Sequence, residues 1–586
     1  MSERWGRLAV GAALLFVALL QIHRLDDFDT WWHLAAGRHM VETGQVTRTD
    51  PFSYTAPGAP WLNRQWLFEI ALYGSWVVAG LAGPILLAGS FVLAAWWALA
   101  RLLRREMPDW AAAVVLALAA AAAVERFTVR PEPVSFFLLA TYLLLLHGPV
   151  TRATVMTLVA LQLVWANAHA LSVLGVVVIA LEVAGAAAGR LPWLPAGWRR
   201  ASARSREEIR WLAAALVLTA ACEFATPFGI EGGLYPLYLM RLIGGEQLLS
   251  HTIVEHRETT LAALVPPAAT GLVCLIGLAV LAAAVSIRRW RLSHVLTAVS
   301  FVYLCAMARR NVALVGLGVA PLVAAGLGPA LSRIPQGAWT GGIAAVVAAL
   351  LSLQGVRVVR DTFYREAALT RSFGLGQSLV MCPSPAIAYL DRVAPGARVL
   401  NDDALGGLVS WESRPLRPVF FDGRLQVYPD AIYRQWQAVL DDPRHFPALA
   451  ARWGIEAVVL HHPSRGRLEL AAAIARLPDW RVAHLDAGGV VLLPGPDGRL
   501  PDGLDVPVMA AGAPGLAGWL DRALDWIRPD FEQATALYQR GRAIHFLLGP
   551  AGYPMAAADF AAALRLVPDH TAARIGLQAT TTLPGR

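Results

Sequence analysis

The chain has 586 residues, of which 56% are hydrophobic and only 16% are charged, so its composition excludes an ordinary soluble domain and predicts a polytopic membrane protein. Its net charge of +8 rests on arginine, because the chain has no lysine, and this excludes a Walker-A lysine and Schiff-base chemistry. Arginines collected in short loops orient membrane helices, so we expect the lipid bilayer and no nucleic acid as a partner.

The first segment, MSERWGRLAVGAALLFVALLQIHR, has a charged start and an apolar core but no small-x-small cleavage site. We therefore expect an uncleaved first span. Apolar runs of this type recur along a membrane domain that covers residues 1–358, and they predict about eleven α-helical spans. The runs lie near residues 8–22, 84–100, 110–125, 132–147, 152–166, 170–187, 211–225, 262–286, 293–307, 312–332 and 339–355.

Loop charges predict the orientation of these spans. Three arginine-rich stretches, RLLRRE, GRLPWLPAGWRRASARSREEIR and IRRWR, fall on the side of the N-terminus in an eleven-span count, which predicts a cytoplasmic N-terminus. The opposite side then receives a first outer loop (23–83) and the motif-like stretches VERFTVRPEP, WANAHA, TPFGIEGG to IVEHRET, and ARRN. Ionisable groups gathered at one membrane face indicate a functional site.

The segment WLFEIALYGSWVVAGLAG (66–83) is apolar enough for a twelfth span. Counting it as a span would reverse the loops before it relative to RLLRRE. We therefore interpret this segment as an interfacial or re-entrant helix.

An extracytoplasmic α/β domain is predicted over 375–495. ARVLNDDALGGLVSWES and RPVFFDGRLQVYPD have the pattern of strand–turn–strand pieces, RWGIEAVVLHH of a buried strand, and WRVAHLDAGGVVLLP of a hairpin. Helices are expected at 383–393, 429–441 and 465–477. Asp402, Asp403, Asp422 and Arg424 are expected to be structural, with an internal Asp–Arg contact in DGR.

A Pro/Gly-rich linker (496–529) follows, and 530–580 has the spacing of a tetratricopeptide-like helix pair. A single repeat of this kind cannot form a solenoid. We therefore expect the pair to pack on the α/β domain.

The densest acidic cluster is LDDFDTWWH, directly after the first span. Asp27 and Asp29 form a D-x-D pair that could act as a general base, share a divalent cation, or be solvated loop residues. Trp31 and Trp32 are typical of interfacial anchors, but aromatic faces beside carboxylates also suit a sugar. The same loop continues with Asp50 and with Glu69 in QWLFE.

This loop, DDFDTWWHLAAGRHMVETGQVTRTDPFSYTAPGAPWLNRQWLFE, resembles the first outer loop of the glycosyltransferase C (GT-C) superfamily. The resemblance continues in VRPEP, WANAHA, ATPFG, IVEH, ARRNVALV, VLNDDALGGLVSWES and VFFDGRLQVYPD, and covers most of residues 20–495. It implies a GT-C-like membrane domain at the bacterial inner membrane. It also implies sugar transfer at the outer face from a polyprenyl-phosphate-linked donor to an envelope glycan or protein acceptor.

The resemblance implies that an acidic residue of the first loop is the catalytic base or holds a metal, a role that falls on Asp29, favoured slightly, or Asp27. The cation would be divalent, Mg²⁺ or Mn²⁺. Arg130, Arg309, Arg310 and His169 are candidates for binding the donor phosphate, although Arg309 and Arg310 could be a snorkelling pair and His169 an interfacial residue. Candidate substrate contacts are Trp31, Trp32, His33, Asp50, Glu69, Glu255 and His256, although the last two are more typical of a loop charge cluster.

The W-W-D-Y-G signature of oligosaccharyltransferases is missing, so transfer of whole glycans to asparagine is not expected. Two other classes of function compete with a transferase. One is a non-catalytic scaffold whose degenerate transferase core anchors the outer domain. The other is a transporter of lipid-linked glycans, which is less favoured because transporters place their charges near the membrane midplane.

Overall fold

The computed structural model describes residues 2–241, 254–335, 337–424, 426–495, 501, 502, 504, 515–524 and 530–581. Most of the expected linker (496–529), and residues 242–253 of the stretch from TPFGIEGG to IVEHRET, lie outside the described residues. The chain divides into two compact units, one of residues 1–22, 64–68 and 85–373 and the other of residues 23–63, 69–84 and 374–586.

The described helices up to residue 366 follow one another in a largely helical region. They are α1 (Ser2–Gln21), α2 (Asp29–Thr43), α3 (Trp66–Ala79), α4 (Ala82–Leu103), α5 (Asp109–Ala123), α6 (Glu132–His147), α7 (Arg152–Ala168), α8 (Val173–Ala188), α9 (Ala196–Ala201), α10 (Arg206–Cys222), α11 (Gly229–Arg241), α12 (Pro266–Ser286), α13 (Leu292–Met307), α14 (Val312–Leu331), α15 (Ala338–Val359) and α16 (Thr362–Glu366). Short 3₁₀ turns include Val124–Arg126, Ala170–Ser172, Val254–His256, Ile287–Arg289 and Arg309–Asn311.

Each of the eleven predicted apolar runs lies largely on one of these helices. Five described segments are long and apolar enough to cross a bilayer, namely Ala82–Leu103, Ala170–Ala188, Pro266–Arg289, Arg309–Leu331 and Ala338–Val359. The count of eleven spans stays a prediction. Local sequence sets several boundaries: α7 and α10 begin with capping boxes at Thr151 and Ser205, whose hydroxyl oxygens accept backbone N–H bonds from the first turn.

The centre of the first unit is α14. Of its apolar window 94% is buried, whereas the windows of Pro266–Arg289 and Ala338–Val359 are 22% buried. It packs against α5, α12 and α13. A helix that is apolar all round and enclosed is a core helix, while the other two helices leave most of their apolar side chains uncovered by the described residues.

The second unit contains the rest of the first loop and the C-terminal half. Its further elements are α17 (Ser384–Val393), β1 (Val399–Asn401), α18 (Asp403–Glu412), α19 (Asp430–Asp441), α20 (Phe446–Trp453), β2 (Ala457–His461), α21 (Arg465–Ala475), β3 (Trp480–Leu485), β4 (Gly489–Pro494), α22 (Gly515–Leu524), α23 (Phe531–Leu548), α24 (Tyr553–Leu566) and α25 (Thr571–Thr581). The sheet has the order β1-β2-β4-β3.

Strands β1 and β2 are parallel, with Val399 opposite Ala457, and β4 is antiparallel to both β2 and β3. The hairpin of β3 and β4 and the buried strand β2 confirm the sequence prediction, as do the helices α17, α19 and α21. The prediction of strand–turn–strand pieces was wrong in two places. Residues 403–412 form α18, because the Asp402 carboxylate accepts the backbone N–H of Leu405 at 2.9 Å and caps a helix there.

The second wrong place is RPVFFDGRLQVYPD. Its described residues contain no strand and make only an isolated bridge, in which Val419 pairs with Ser53 of the first loop. The backbone N–H of Val419 donates to the carbonyl oxygen of Phe52 at 2.9 Å, and that of Tyr54 donates back to Val419 at 3.1 Å. This stretch therefore belongs to the packing of the first loop instead of extending the sheet.

Candidate functional site

Asp29 is the first residue of α2 and its carboxylate is half-buried. The indole N–H of Trp32 donates to Oδ1 of Asp29 at 3.0 Å, one turn along the same helix. Oδ1 of Asp27 accepts the backbone N–H of Asp29 at 2.9 Å. The two residues of the predicted acidic pair therefore lie together. Asp27 accepts a hydrogen bond from the first turn of the helix, and Asp29 accepts one from the Trp32 side chain. The helix N-terminus favours a negative charge at this point.

Behind Trp32 lies a buried polar chain. The His33 ring lies beside the Trp32 ring, with their centroids 3.5 Å apart, and its Nδ1 lies 2.9 Å from Oε1 of Glu69. The side-chain amide of Asn63 donates to the other oxygen of Glu69 at 2.6 Å. Burial raises the pKa of Glu69 to about 8, against the opposing effects of Asn63 and Arg424. Because His33 and Glu69 are enclosed, their geometry favours a structural role under Trp32 over direct contact with a substrate.

Asp50 is equally enclosed. Its carboxylate lies 2.8 Å from Nη1 of the fully buried Arg424 and accepts the backbone N–H of Phe52 at 3.0 Å. Arg424 also pairs with Asp422 at 2.7 Å and lies over the ring of Trp61 at 4.7 Å. The expected contact within DGR is confirmed. The place of Asp50 in this network favours a structural role over its predicted role in substrate binding.

Trp31 and Trp32 were predicted as an aromatic pair. Trp31 is buried, and its indole N–H donates to Sγ of Cys382 at 3.3 Å. Trp32 is also buried and faces Asp29. Neither ring is placed as an exposed interfacial anchor. Sequence reasoning missed Gly423, at which a Cβ would collide with Oδ1 of Asp29.

In the first unit, a cluster of arginines and glutamates joins three short stretches that the sequence had singled out. Nη1 of Arg126 lies 2.6 Å from Glu255, and Nη1 of Arg130 lies 3.3 Å from the other oxygen of the same carboxylate. Arg126 also pairs with Glu132 at the start of α6. VERFTVRPEP and IVEH are therefore bound to each other by ion pairs.

ARRN contributes to the same cluster. Nη2 of Arg310 lies 3.2 Å from Glu132, and its Nη1 lies 3.1 Å from Nε2 of His256. Arg309 instead makes a bidentate pair with Glu125, at 3.1 and 2.6 Å. The two neighbouring arginines therefore differ, since Arg309 is fully matched by one carboxylate while Arg310 shares Glu132 with Arg126.

Three guanidinium groups of this cluster (Arg126, Arg130 and Arg310) contact two carboxylates (Glu132 and Glu255). Burial by itself would raise the pKa of Glu255, but Arg126, Arg130 and Arg310 hold that pKa below its usual range. Arginine is the residue type that binds a phosphate through paired hydrogen bonds, and three arginines are gathered here.

His169 follows α7 and is buried. Its Nδ1 lies 2.7 Å from the hydroxyl of Ser135, which also accepts the indole N–H of Trp165 at 2.8 Å. His169 is therefore positioned by α6 and α7. Its predicted role in phosphate binding stays a prediction.

A buried network that sequence reasoning missed lies around Arg64. Nη2 of Arg64 contacts Oε2 of Glu223 at 2.9 Å and the carbonyl oxygen of Ala166 at 2.9 Å. The side-chain amide of Gln162 donates to the other oxygen of Glu223 at 2.6 Å, and the hydroxyl of Tyr142 donates to Gln162 at 2.6 Å. Glu223 lies two residues before ATPFG and Arg64 lies within LNRQW, so the ion pair joins LNRQW to the residues that lead into ATPFG. A lone arginine before an apolar helix gave no signal of this pairing.

Across the residues that the structure describes, no group of three or more His, Cys, Asp or Glu side chains is placed to hold a metal ion. A divalent cation at Asp27 and Asp29 stays a prediction.

No protein-family model matches the chain, and no curated protein matches it in sequence. Solved structures do resemble it. The archaeal oligosaccharyltransferase of Archaeoglobus fulgidus, in complex with an inhibitory peptide and a dolichol-phosphate, is 11% identical with a TM-score of 0.52, over 99% of this chain and 87% of that chain. The apo form of the oligosaccharyltransferase from the same organism is 12% identical with a TM-score of 0.51, over 85% of this chain and 75% of that one.

A third structure, ArnT from Cupriavidus metallidurans bound to undecaprenyl phosphate, is 14% identical with a TM-score of 0.48, over 85% of this chain and all of that one. At these identities the likeness to the archaeal enzyme establishes architecture and not activity. The expected fold is confirmed: the chain is a multi-pass membrane protein with the fold of the glycosyltransferase C superfamily.

Proposed function

We propose that this protein is an integral-membrane glycosyltransferase. It transfers a sugar from a polyprenyl-phosphate-linked donor to an envelope glycan or protein acceptor, at the outer face of the bacterial inner membrane. The N-terminus is cytoplasmic and the C-terminal half extracytoplasmic in this proposal. The observation that carries it is the arrangement at Asp29, a half-buried carboxylate at a helix N-terminus whose Oδ1 is oriented by Trp32.

In this reaction the acceptor hydroxyl attacks the anomeric carbon of the donor sugar. The new glycosidic bond forms as the bond from that carbon to the phosphate oxygen breaks, and the lipid phosphate leaves with the bonding electrons. Asp29 accepts the hydroxyl proton as general base, since a carboxylate can both take the proton and stabilise positive charge at the anomeric carbon. The indole N–H of Trp32 fixes the orientation of that carboxylate.

The arginine cluster of the first unit supports a lipid-phosphate donor. Arg130 and Arg310 bind the phosphate oxygens of the donor and of the leaving group, and His169 assists. Arg309 orders the ARRN turn through Glu125. The dolichol-phosphate bound to the archaeal oligosaccharyltransferase belongs to the same class of ligand. Because the W-W-D-Y-G signature is missing, transfer of whole glycans to asparagine is not part of the proposal.

The test compares Asp29→Asn with Asp27→Asn in the purified full chain, using undecaprenyl-phosphate mannose and undecaprenyl-phosphate arabinose as donors. Asp430→Asn is a matched control, because Asp430 is also the first residue of a helix. We expect Asp29→Asn to lower the release of undecaprenyl phosphate by about 10²- to 10⁴-fold, which is typical for the loss of a general base, and the control to leave it unchanged. Unchanged release in Asp29→Asn would refute this role and favour the non-catalytic scaffold.

In the alternative form of this proposal, Asp27 and Asp29 hold a divalent cation. Chelation should then abolish donor consumption in the wild-type protein, and Mg²⁺ or Mn²⁺ should restore it. Consumption that resists chelation would limit Asp29 to the role of base.

A further inference from the structure

A cavity of about 860 Å³ opens in the first unit, between α9 and the 3₁₀ turn Ile287–Arg289 that follows α12. Three arginines line it, Arg200 from α9 and Arg288 and Arg289 from the turn, together with the apolar side chains of Trp198 and Ile287. No carboxylate is among the lining residues. The volume is in the range of small-ligand sites.

The two arginine-bearing segments are held in close contact. A Cβ at Gly197 would lie 2.7 Å from the carbonyl oxygen of Arg288, so a larger residue at position 197 would separate them. The cavity therefore has a fixed wall, in which one arginine of α9 and two of the turn present their charges to the same space.

The arginines of this cavity are not used by the protein itself. Among the described residues, Arg200, Arg288 and Arg289 form no ion pair, and Nε of Arg200 donates only to the carbonyl oxygen of Ala196 at 3.4 Å. Their sequence neighbours behave differently. Arg204 pairs with Glu208 at 3.0 Å, and Arg291 donates to the carbonyl oxygen of His147 at 3.0 Å. Loop arginines that only orient the membrane helices could be paired or unpaired at random. Here the arginines that line the cavity form no ion pair with the described residues, while Arg204 and Arg291 have partners.

The surroundings indicate the occupant. The span Pro266–Arg289 has 22% of its apolar window buried, so it faces lipid, and the cavity lies at its C-terminal end. Trp193 close by is 74% exposed and Ile287 is 42% exposed, as expected of side chains at the boundary between lipid and water. We propose that the cavity binds the phosphate headgroup of an anionic phospholipid of the surrounding bilayer. The three arginines of the cavity contact the phosphate oxygens, while the acyl chains of the lipid lie along α12.

The experiment measures retention of added phosphatidylglycerol and phosphatidylcholine by the full-length protein in detergent, using native mass spectrometry. The test variant combines Arg200→Gln, Arg288→Gln and Arg289→Gln. A matched control combines Arg101→Gln, Arg105→Gln and Arg333→Gln, which removes the same charge from exposed arginines that do not line the cavity. We expect the test variant to lose phosphatidylglycerol affinity by about 100-fold, from the contribution of each arginine near a membrane surface, and the control to keep it.

Quenching of Trp198 by brominated phosphatidylglycerol, measured against Trp198→Phe, places the lipid at the cavity. Equal retention of the two lipids by the wild type, or an equal loss in the two triple variants, would overturn the site. Displacement of phosphatidylglycerol by millimolar inorganic phosphate would identify a site for free phosphate and overturn the lipid assignment. Both triple variants should elute as monodisperse species. If the test variant does not, Arg288→Gln alone replaces it, and we then expect a partial loss of phosphatidylglycerol affinity.

Discussion

A methyl group on Cα of Gly423 would overlap Oδ1 of Asp29, the oxygen that accepts the indole N–H of Trp32. Gly423 lies in the DGR turn, between Asp422 and the buried Arg424 that joins this turn to Asp50. The position of the proposed base is therefore set on one side by an aromatic side chain of its own helix and on the other by a turn nearly 400 residues later in the chain.

Gly423→Ala is expected to displace the Asp29 carboxylate and lower donor consumption by about 10²-fold, the cost of a misplacement of about 1 Å at a reacting group. The apparent affinity for undecaprenyl phosphate should stay the same, because the arginine cluster is unchanged. Gly466→Ala, where a Cβ meets only an ordinary contact with Leu440, is the control. Full activity in Gly423→Ala would show that the orientation of Asp29 does not matter.

Glu69→Gln should change the pH dependence of stability. Glu69 lies in α3, within the segment 66–83 that the loop charges predict to be an interfacial or re-entrant helix, so we treat it as lying outside the spans. Its pKa of about 8 lies above the ordinary 4.5. Between these two pH values the folded protein keeps a proton that the unfolded chain has lost. The stabilisation is complete below the unfolded pKa and is lost as pH rises through about 8.

Thermal unfolding of the wild type and of Glu69→Gln measures this effect. The midpoint of the wild type should fall as pH rises from about 4.5 to about 8 and level off above that, and that of Glu69→Gln should fall less, because glutamine cannot ionise. Glu42→Gln, at an exposed position of α2, should behave as the wild type does. Parallel curves for the wild type and Glu69→Gln would contradict the raised pKa.

Arg310→Gln and Arg309→Gln should separate phosphate binding from structure. Arg309 is matched by Glu125, whereas Arg310 shares the carboxylate of Glu132 with Arg126. We expect Arg310→Gln to weaken undecaprenyl phosphate binding by about 10- to 100-fold, as for the loss of a charge-assisted hydrogen bond. Arg309→Gln should mainly lower the unfolding temperature. Binding of labelled undecaprenyl phosphate in detergent measures the first effect, and equal losses of affinity in the two variants would refute the distinction.

Glu255→Gln should act in the opposite direction. It removes a negative charge that faces Arg126 and Arg130, so the net charge of the cluster becomes more positive by one. We expect tighter binding of undecaprenyl phosphate, by up to about tenfold, with a stronger dependence on salt. Weaker binding in Glu255→Gln would instead indicate that the carboxylate positions the two arginines.

Glu532→Ala tests the docking of the C-terminal helices. The carboxylate of Glu532 pairs with Arg24 at 2.6 Å and accepts the backbone N–H of Leu379 at 2.8 Å, and both Glu532 and Arg24 are buried. Removal of one partner of a buried pair costs about 3 kcal/mol, so α23 should exchange its amide hydrogens faster. The exposed Glu469→Ala, which loses a pair with Arg465, should have little effect.

Where helix and strand periods were clear, the sequence predicted the elements. The Ala-Gly-Gly turn of β3–β4 and the apolar run of β2 are local signals, and both are present in the structure. DDALGGLVSWES was misread because its two glycines were taken as a turn. They lie inside α18, where a Cβ at Gly406 would collide with the carbonyl oxygen of Phe421 and one at Gly407 would lie 2.9 Å from the backbone nitrogen of Trp32. A glycine needed for close packing looks the same in sequence as one needed for a turn.

The candidate site shows a similar limit. The acidic and arginine-rich motifs were found because their residue types carry chemistry. Their partners were not: Arg126 and Glu132 both lay in the quoted stretch VERFTVRPEP, but only Arg130 of that stretch was singled out. Such roles depend on ion pairs between residues far apart in sequence, such as that of Arg126 with Glu255, and no periodicity or spacing reports them.

The enclosure of α14 has a consequence for how the protein is made. The helices that surround it, α5, α12 and α13, all precede it in the chain. During synthesis α14 therefore emerges from the ribosome after the three helices that it packs against. It can be enclosed by them as soon as it is inserted. Synthesis in the order of the gene is thus also the order in which the centre of this unit can be filled.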